Sequence, residues 1–172
     1  YICFDGPVKP VFDRKYVTLL DYCPDVERMR QAAAYLTGEH DFASFCGNPR
    51  MKKSTVRLVD SITVERRKDR VIFTFHGTGF LQNMVRILVG TLLEVGRGYW
   101  EPTYVQDILA ARDRKLAGPT APPEGGLLTR QIWGCLAKSH FSGLSFPRKD
   151  GYNDNKYTAR RGLPATDRTF AC

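Results

Sequence analysis

The chain has 172 residues, a hydrophobic content of 42% and a formal net charge of +8, which is enough apolar material for one domain with a buried core. It has no run of about 18 apolar residues, so a membrane span is not expected. The five cysteines form no CxxC pair, so neither a metal site nor a disulfide framework is expected. The positive charge favours a polyanionic partner, most commonly nucleic acid.

The chain opens at Tyr1 without a methionine and leads directly into a strand-like segment. We therefore expect further residues upstream in the native protein. The first residues contain no basic region followed by an apolar run, which argues against a signal peptide. Together with the widely spaced cysteines, this predicts reduced thiols and a cytoplasmic location.

In chain order, the apolar pattern predicts strands and helices in alternation. Segments typical of strands lie at 1–4, 16–20, 56–64, 71–75 and 127–133. Segments with helical spacing lie at 26–36, 81–95 and 104–111. Asp25 is expected to cap the first helix and Gly38 to end it, whereas the charged residues 66–70 are expected to form a hairpin tip. This order predicts an α+β sandwich with an antiparallel sheet.

Arg86 lies in the middle of the second predicted helix, among residues that are nearly all apolar. Gln82, Arg86 and Gly90 share one line of this helix at a spacing of four residues. A guanidinium cannot lose its proton, so an arginine held away from water needs an anion. Glycine leaves room for a backbone or a ligand. Two interpretations stay open: Arg86 pairs with a carboxylate or phosphate in a cleft, or it extends along the helix edge to solvent.

Other candidate motifs have a functional and a structural interpretation. His40 and Asp41 suit a general base pair, but a role at the junction after Gly38 is favoured. The turn at 77–79 hints at a phosphate-binding loop, although it lacks the lysine of a P-loop, and a simple tight turn is favoured. The best basic patch contains Lys52, Lys53, Arg57, Arg66, Arg67 and Arg70. Such side chains are usually solvated, yet some are plausible contacts for an RNA backbone.

The composition changes at residue 134. Residues 134–172 contain seven Lys and Arg against three Asp and Glu, and almost no Leu, Ile or Val. This composition is typical of a disordered or irregular basic tail. We therefore predict one folded domain at 1–133 and a basic tail at 134–172.

Four segments give the chain a resemblance to the C-terminal half of TruA-type tRNA pseudouridine synthases. They are Gly-Glu-His-Asp-Phe-Ala-Ser-Phe at 38–45, Phe-Leu-Gln-Asn-Met-Val-Arg-Ile-Leu-Val-Gly-Thr-Leu-Leu-Glu-Val-Gly at 80–96, Ile-Leu-Ala-Ala-Arg-Asp-Arg at 108–114 and Ala-Gly-Pro-Thr-Ala-Pro-Pro-Glu-Gly-Gly-Leu at 117–127. Each segment alone is moderately specific for the family, and the four in this order and spacing are strong evidence for the resemblance. The resemblance covers residues 1 to about 128.

This resemblance implies an enzyme that isomerises uridine to pseudouridine in the tRNA anticodon stem-loop, at tRNA positions 38 to 40. It implies a homodimer with two ferredoxin-like halves per chain, and no cofactor or metal. Arg86 matches the family's active-site arginine in Phe-x-x-x-Met-Val-Arg. Tyr1, Phe80 and Gln82 become candidates for substrate binding, and Lys52, Lys53 and Arg57 for RNA binding.

Two pieces of the family's site are missing from this sequence. The family's catalytic aspartate lies in a Gly-Arg-Thr-Asp-Ala-Gly motif, which does not occur here. The tyrosine that stacks on the target base belongs to a Tyr-x-Tyr-like strand, and Tyr1 best matches its second tyrosine, so the stacking residue is also expected to be absent. The chain is thus predicted to carry half of an active site. A non-catalytic RNA-binding or dimerisation domain is the alternative.

Overall fold

The computed structural model describes residues 1–48 and 50–127, which form an α+β fold as predicted. The strands, β1 to β5 in chain order, are Ile2–Phe4, Thr18–Leu19, Gly38–Asp41, Val56–Arg67 and Arg70–Gly77. The helices, α1 to α3, are Val26–Ala34, Met84–Gly96 and Tyr104–Ala111. Two short 3-10 helices are Ala43–Phe45 and Pro123–Gly125. Nearly all of the last predicted strand, at 127–133, lies outside the described residues.

The strands form one mixed sheet in the order β2-β1-β5-β4-β3. The pairs β1–β5, β5–β4 and β4–β3 are antiparallel, but β1 and β2 are parallel. The predicted antiparallel sheet is therefore confirmed for three of the four strand pairs, and the parallel pair at this edge was not predicted. The physical reason is the connection, because residues 5–17 are long enough to return the chain to the start of the sheet, as a parallel pair requires.

The hairpin of β4 and β5 forms the centre of the sheet. Its tip lies between Arg67 and Arg70, with Lys68 at a φ of 55°, so the predicted tip is confirmed. The pairing shifts between Val59 and Ser61, which places a bulge at Asp60. This bulge explains why the apolar alternation of β4 breaks at Asp60, because the extra residue moves the later side chains to the other face.

Helix α1 begins at the predicted cap. The Asp25 carboxylate accepts hydrogen bonds from the backbone N–H groups of Glu27 and Arg28, at 2.9 and 3.2 Å, which satisfies two free donors of the first turn. The helix ends at Ala34, earlier than expected. Gly38 does not end it: with a φ of 110°, this residue opens β3.

Helix α2 is buried on most of its surface. Its large buried side chains are Met84, Ile87, Leu88, Val89, Leu92, Leu93 and Val95. The helical spacing predicted within 81–95 is thus confirmed, although Val85 is only half-buried. The helix starts at Met84 and not near 81, because Asn83 has a left-handed φ of 58° that cannot continue a helix.

The described residues belong to one compact unit that runs from Tyr1 to Leu128. The predicted domain boundary at 133/134 and the basic tail at 134–172 lie outside them. Between residues 1 and 127, none of the described helices has the length and hydrophobicity that a membrane crossing requires.

Candidate active site

Arg86 lies in the first turn of α2, half-buried, where the helix meets the loop formed by residues 117–122. Its Nε–H donates to the carbonyl oxygen of Ala121 at 2.6 Å. One terminal nitrogen donates to Oδ1 of Asn83 at 3.2 Å. The guanidinium is therefore fixed to the protein and does not simply extend along the helix into solvent.

The loop at 117–122 is held against α2 by its backbone. The Ala121 N–H donates to the carbonyl oxygen of Arg86 at 3.0 Å, so the two residues exchange a pair of hydrogen bonds. The Gly118 N–H donates to the hydroxyl of Thr91 at 3.0 Å. A Cβ at Gly90 would lie 1.8 Å from the carbonyl oxygen of Pro119. The room at Gly90 is thus taken by a backbone, one of the two occupants that the sequence allowed.

Two of the five N–H donors of Arg86 are used within the described part of the chain. No Asp or Glu of residues 1–48 and 50–127 forms an ion pair with it, whereas Arg28, Arg70 and Arg112 each pair with a carboxylate. A half-buried guanidinium with a fixed plane and unused donors suits a bidentate anion, such as a carboxylate or a phosphate. The arrangement can therefore orient one anion at the start of α2.

Tyr1 holds the far end of the same loop. Its hydroxyl donates to the carbonyl oxygen of Pro122 and shares a hydrogen bond with the hydroxyl of Thr18. The residue is 7% exposed, and burial raises the pKa of its hydroxyl to about 12, although the charge of Arg86 opposes this shift. The ring also lies against Gly125. Tyr1 thus shapes the loop around Arg86, and contact of its ring with a substrate stays a prediction.

Phe80 and Gln82 lie on the segment that leads into α2. Phe80 is half-buried and packs near Gly77, while the side chain of Gln82 is exposed. The Gln82 carbonyl oxygen accepts a hydrogen bond from the Gly47 N–H at 2.8 Å. The structure brings this segment together with Arg86 through Asn83, but no contact tests the predicted substrate roles of Phe80 and Gln82.

The predicted RNA-binding residues follow Gly47 along the chain. Lys52 and Lys53 are exposed, whereas Arg57 is half-buried. One terminal nitrogen of Arg57 donates to the carbonyl oxygens of Ser54 and Val56, at 2.9 and 2.6 Å. Arg57 therefore shapes its own loop, and the two lysines remain available to solvent.

The structural interpretation of His40 and Asp41 is confirmed. Nε2 of His40 contacts the carbonyl oxygen of Thr37 at 2.9 Å. The Asp41 carboxylate accepts hydrogen bonds from the Thr55 hydroxyl and the Ala43 N–H, and it pairs with Arg112 at 3.2 Å. These contacts tie the end of β3 to the following turn and to α3.

The turn at 77–79 is not adjacent to a helix N-terminus. The Thr78 N–H donates to the carbonyl oxygen of Leu58 at 3.1 Å, so the turn continues the β4–β5 pairing. Residues 80–83 separate it from α2. The segment therefore prolongs the strand pairing of β5 and bends at Thr78, so neither the phosphate-binding loop nor the favoured tight turn is formed. Among the described residues, no group of three or more His, Cys, Asp or Glu side chains could hold a metal ion.

Two contributors to the site were not predicted from the sequence. Thr91 accepts the Gly118 N–H, and Arg114 donates to the loop backbone. Arg114 is part of the motif at 108–114, so its position was marked but its role was not. Their contribution depends on contacts between α2, α3 and the loop, which sequence spacing does not show.

Sequence comparisons relate this chain to known proteins. The sequence model of the family described as tRNA pseudouridine synthase matches residues 32–132. Proteins described as tRNA pseudouridine synthase A are similar to this chain. The one from Brevibacillus brevis is 49% identical over 124 residues, which are 72% of this chain and 51% of that protein. The one from Halalkalibacterium halodurans is 48% identical over 115 residues, which are 67% of this chain and 44% of that protein.

A relative from Janthinobacterium sp. with the same description is 41% identical over 131 residues, which are 76% of this chain and 48% of that protein. The chain spans about half the length of the curated relatives it matches. The family match includes α2 with Arg86 and the loop at 117–122, and it confirms the resemblance carried by the four motifs. The chain belongs to the tRNA pseudouridine synthase family.

Proposed function

We propose that the chain is the arginine-bearing part of a tRNA pseudouridine synthase whose catalytic aspartate lies in a segment outside residues 1–172. The carrying observation is the guanidinium of Arg86, which Ala121 and Asn83 hold in place while three N–H donors keep no partner among the described residues. The absence of a Gly-Arg-Thr-Asp-Ala-Gly motif from the sequence supports the placement of the aspartate elsewhere.

The proposed reaction breaks the bond between the ribose C1′ and N1 of uracil, and joins C1′ to C5 of the rotated base. C5 loses its proton and N1 gains one. The aspartate must stay ionised in a site that the flipped nucleotide closes to water. An arginine opposite a carboxylate lowers its pKa and so favours the ionised form. Arg86 has this role: it orients the carboxylate and balances its charge.

The proposed substrate is tRNA, modified in the anticodon stem-loop. The net charge of +8 and the exposed Lys52 and Lys53 support binding to a phosphate backbone. Tyr1, Phe80 and Gln82 surround the start of α2 and are proposed to contact the flipped nucleotide. The native enzyme is proposed to be a cytoplasmic homodimer that uses no cofactor or metal, as the family resemblance implies.

A second function has one observation in its favour. Because the aspartate motif is missing from the sequence, the chain by itself suits a non-catalytic RNA-binding or dimerisation domain. The two proposals differ in whether Arg86 ever meets a catalytic carboxylate.

Release of tritium from tRNA labelled at uridine C5 tests the proposal, alongside filter binding of the same tRNA. We define the hybrid enzyme as residues 1–172 placed after the part of the Brevibacillus brevis relative that this chain does not match. The chain alone is expected to bind tRNA without tritium release, and the hybrid enzyme to release tritium. Release by the chain alone would place the carboxylate within residues 1–172. A folded hybrid that binds tRNA without release would favour the binding domain.

A further inference from the structure

Arg114 makes three hydrogen bonds to the loop at 117–122. One terminal nitrogen donates to the carbonyl oxygens of Ala117 and Gly118, at 3.3 and 3.0 Å. The other donates to the hydroxyl of Thr120 at 3.0 Å. The planar fork of a guanidinium can reach all three acceptors at once, which an ammonium cannot do with the same geometry.

The next residue of this loop is the one that holds Arg86. The Ala121 carbonyl oxygen accepts from the Arg86 Nε–H at 2.6 Å, and the Ala121 N–H donates to the Arg86 carbonyl oxygen at 3.0 Å. Thr91 binds the Gly118 N–H at 3.0 Å. The loop is therefore held by contacts with α2, by Arg114 and, at Pro122, by the Tyr1 hydroxyl.

We propose that Arg114 is a positioning residue for Arg86, acting through the loop at 117–122. This inference rests on the proposed function only for its catalytic consequence, since the contacts themselves are within the chain. The Nε–H bond to Ala121 fixes the plane of the Arg86 guanidinium, and this plane determines where its terminal nitrogens point. Arg114 keeps the Ala121 carbonyl in place by fixing Ala117, Gly118 and Thr120 immediately before it.

Loss of Arg114 removes the three contacts that fix Ala117, Gly118 and Thr120, and leaves the loop held by Ala121 on Arg86, Gly118 on Thr91 and Pro122 on Tyr1. Pro119 has no N–H group and offers no further backbone donor. The Ala121 carbonyl then moves relative to α2, and the terminal nitrogens of Arg86 no longer hold one orientation. Because catalytic groups need near-fixed geometry, small changes of orientation reduce the rate more than they reduce binding.

The first test uses nuclear magnetic resonance on the 172-residue chain. Hydrogen exchange is measured at the Arg86 Nε–H and at the backbone N–H groups of Gly118 and Ala121. In Arg114→Ala, we expect exchange at all three groups to accelerate by about tenfold or more, because the local opening of the loop becomes easier. Exchange at α1, whose described residues form no hydrogen bond with the loop, is expected to stay unchanged.

Two further variants keep this test decisive. Arg112→Asn removes the same charge two residues away, from an arginine that pairs with Asp41 instead, and asparagine tolerates its left-handed backbone. In this variant, the three exchange rates are expected to stay within about twofold of those in the unchanged chain. Thr120→Val removes one of the three acceptors without touching Arg114, so a smaller acceleration in the same groups is expected even if Arg114→Ala does not fold. Unchanged exchange in Thr120→Val and Arg114→Ala would overturn the inference.

The second test measures steady-state kinetics of the hybrid enzyme. Arg114→Ala is expected to lower kcat by about tenfold or more while KM for tRNA stays within about twofold. Arg114→Lys is expected to recover only part of kcat, because it keeps the charge but loses the fork. Normal kcat with accelerated exchange would show that Arg114 only secures the loop and would overturn its catalytic consequence. A hybrid that is inactive with Arg114 intact contradicts the proposed function, and the exchange experiment still decides the positioning role.

Discussion

At each end of helix α2 an arginine donates to backbone carbonyl oxygen, but the two arginines use their remaining donors differently. At the C-terminal end, Arg28 of α1 donates to the carbonyl oxygens of Val95 and Trp100, at 3.4 and 3.1 Å, and pairs with Glu101 at 3.1 Å. At the N-terminal end, Arg86 donates to Ala121 and Asn83 and pairs with no carboxylate of the described residues.

We interpret this difference as the one between a structural arginine and the arginine of the proposed active site. Arg28 neutralises the carbonyl end of α2, where a cation is favourable, and its own charge is balanced by Glu101. Arg86 is anchored equally well, yet its charge is balanced by no carboxylate within residues 1–48 and 50–127. An arginine that is held in place without a carboxylate partner from its own domain keeps donors with which it can bind an anion from outside that domain.

The largest expected effect is on catalysis and concerns Arg86 alone. In the hybrid enzyme, Arg86→Ala is expected to lower turnover by about 10²- to 10³-fold or more, because a fixed charged donor at the reacting groups is lost. Affinity for tRNA should fall by only about threefold, since many cations share the phosphate contacts. Tritium release and filter binding measure the two quantities. Arg28→Ala serves as the control and should keep turnover. Equal losses of binding and turnover in Arg86→Ala would contradict its proposed role.

The second prediction compares two glycines of α2, Gly90 in the middle of the helix and Gly96 at its C-terminal end. A Cβ at Gly90 would lie 1.8 Å from the Pro119 carbonyl oxygen, whereas a Cβ at Gly96 would lie 2.9 Å from the flexible side chain of Met29 and 3.1 Å from the Cβ of Pro24. Gly90→Ala is therefore expected to lower the free energy of unfolding by about 1–3 kcal/mol, or more. Gly96→Ala should change it by less than about 1 kcal/mol, because Met29 can move and alanine favours the helix. Urea denaturation of the chain measures both, and equal effects would refute the close approach at Gly90.

The third prediction concerns the stability that Arg28 provides. Arg28→Ala is expected to lower the free energy of unfolding by about 1–2 kcal/mol, because the carbonyl oxygens of Val95 and Trp100 lose a charged donor. Glu101 is mostly exposed, so its ion pair contributes little. Glu101→Gln is accordingly expected to cost less than about 0.5 kcal/mol. Urea denaturation at neutral pH distinguishes them. A loss in Glu101→Gln as large as that in Arg28→Ala would assign the stability to the ion pair.

Sequence patterns predicted the structure best at features that residues close together in the chain determine. The Asp25 cap, the hairpin tip at Lys68 and helix α3 at Tyr104–Ala111 were all predicted, since capping and turn geometry depend on nearby residues. The parallel pairing of β2 was not predicted, because it depends on the path that residues 5–17 take between β1 and β2. The start of α2 was misplaced because the left-handed backbone of Asn83 has no clear pattern in the sequence.

The site was only partly predictable for the same reason. The position of Arg86 among apolar residues marked it, and Gly90 indicated a close approach. What approaches is the backbone of Pro119, which lies far along the chain. The proposed positioning role of Arg114 depends on three hydrogen-bond acceptors in a loop without regular secondary structure. Such contacts are set by tertiary packing, and no periodicity in the sequence records them.

The smallest expected effect is on alkaline stability and involves one tyrosine at each end of α2. Burial raises the pKa of Tyr1 and of Tyr22 to about 12, although the cations Arg86 and Arg97 oppose the shift. The guanidinium of Arg97 lies 4.4 Å from the ring centroid of Tyr22. Between pH 10 and 12 the unfolded chain loses these protons while the folded chain keeps them. The unfolded state then binds fewer protons, so the free energy of unfolding falls as pH rises.

Tyr22→Phe and Tyr1→Phe separate the two ends. Each variant should show a shallower fall of the urea midpoint between pH 8 and 10.5 than the unchanged chain. At pH 8, Tyr22→Phe should hardly change the free energy of unfolding, because the Tyr22 hydroxyl forms no hydrogen bond within residues 1–48 and 50–127. Tyr1→Phe should already be less stable at pH 8, by about 1 kcal/mol, because its hydroxyl binds Pro122 and Thr18. The buried Cys3 thiol, whose pKa burial also raises to about 12, gives all three proteins the same background fall above pH 9. If both variants behave alike at pH 8, the Tyr1 hydroxyl does not hold the loop around Arg86.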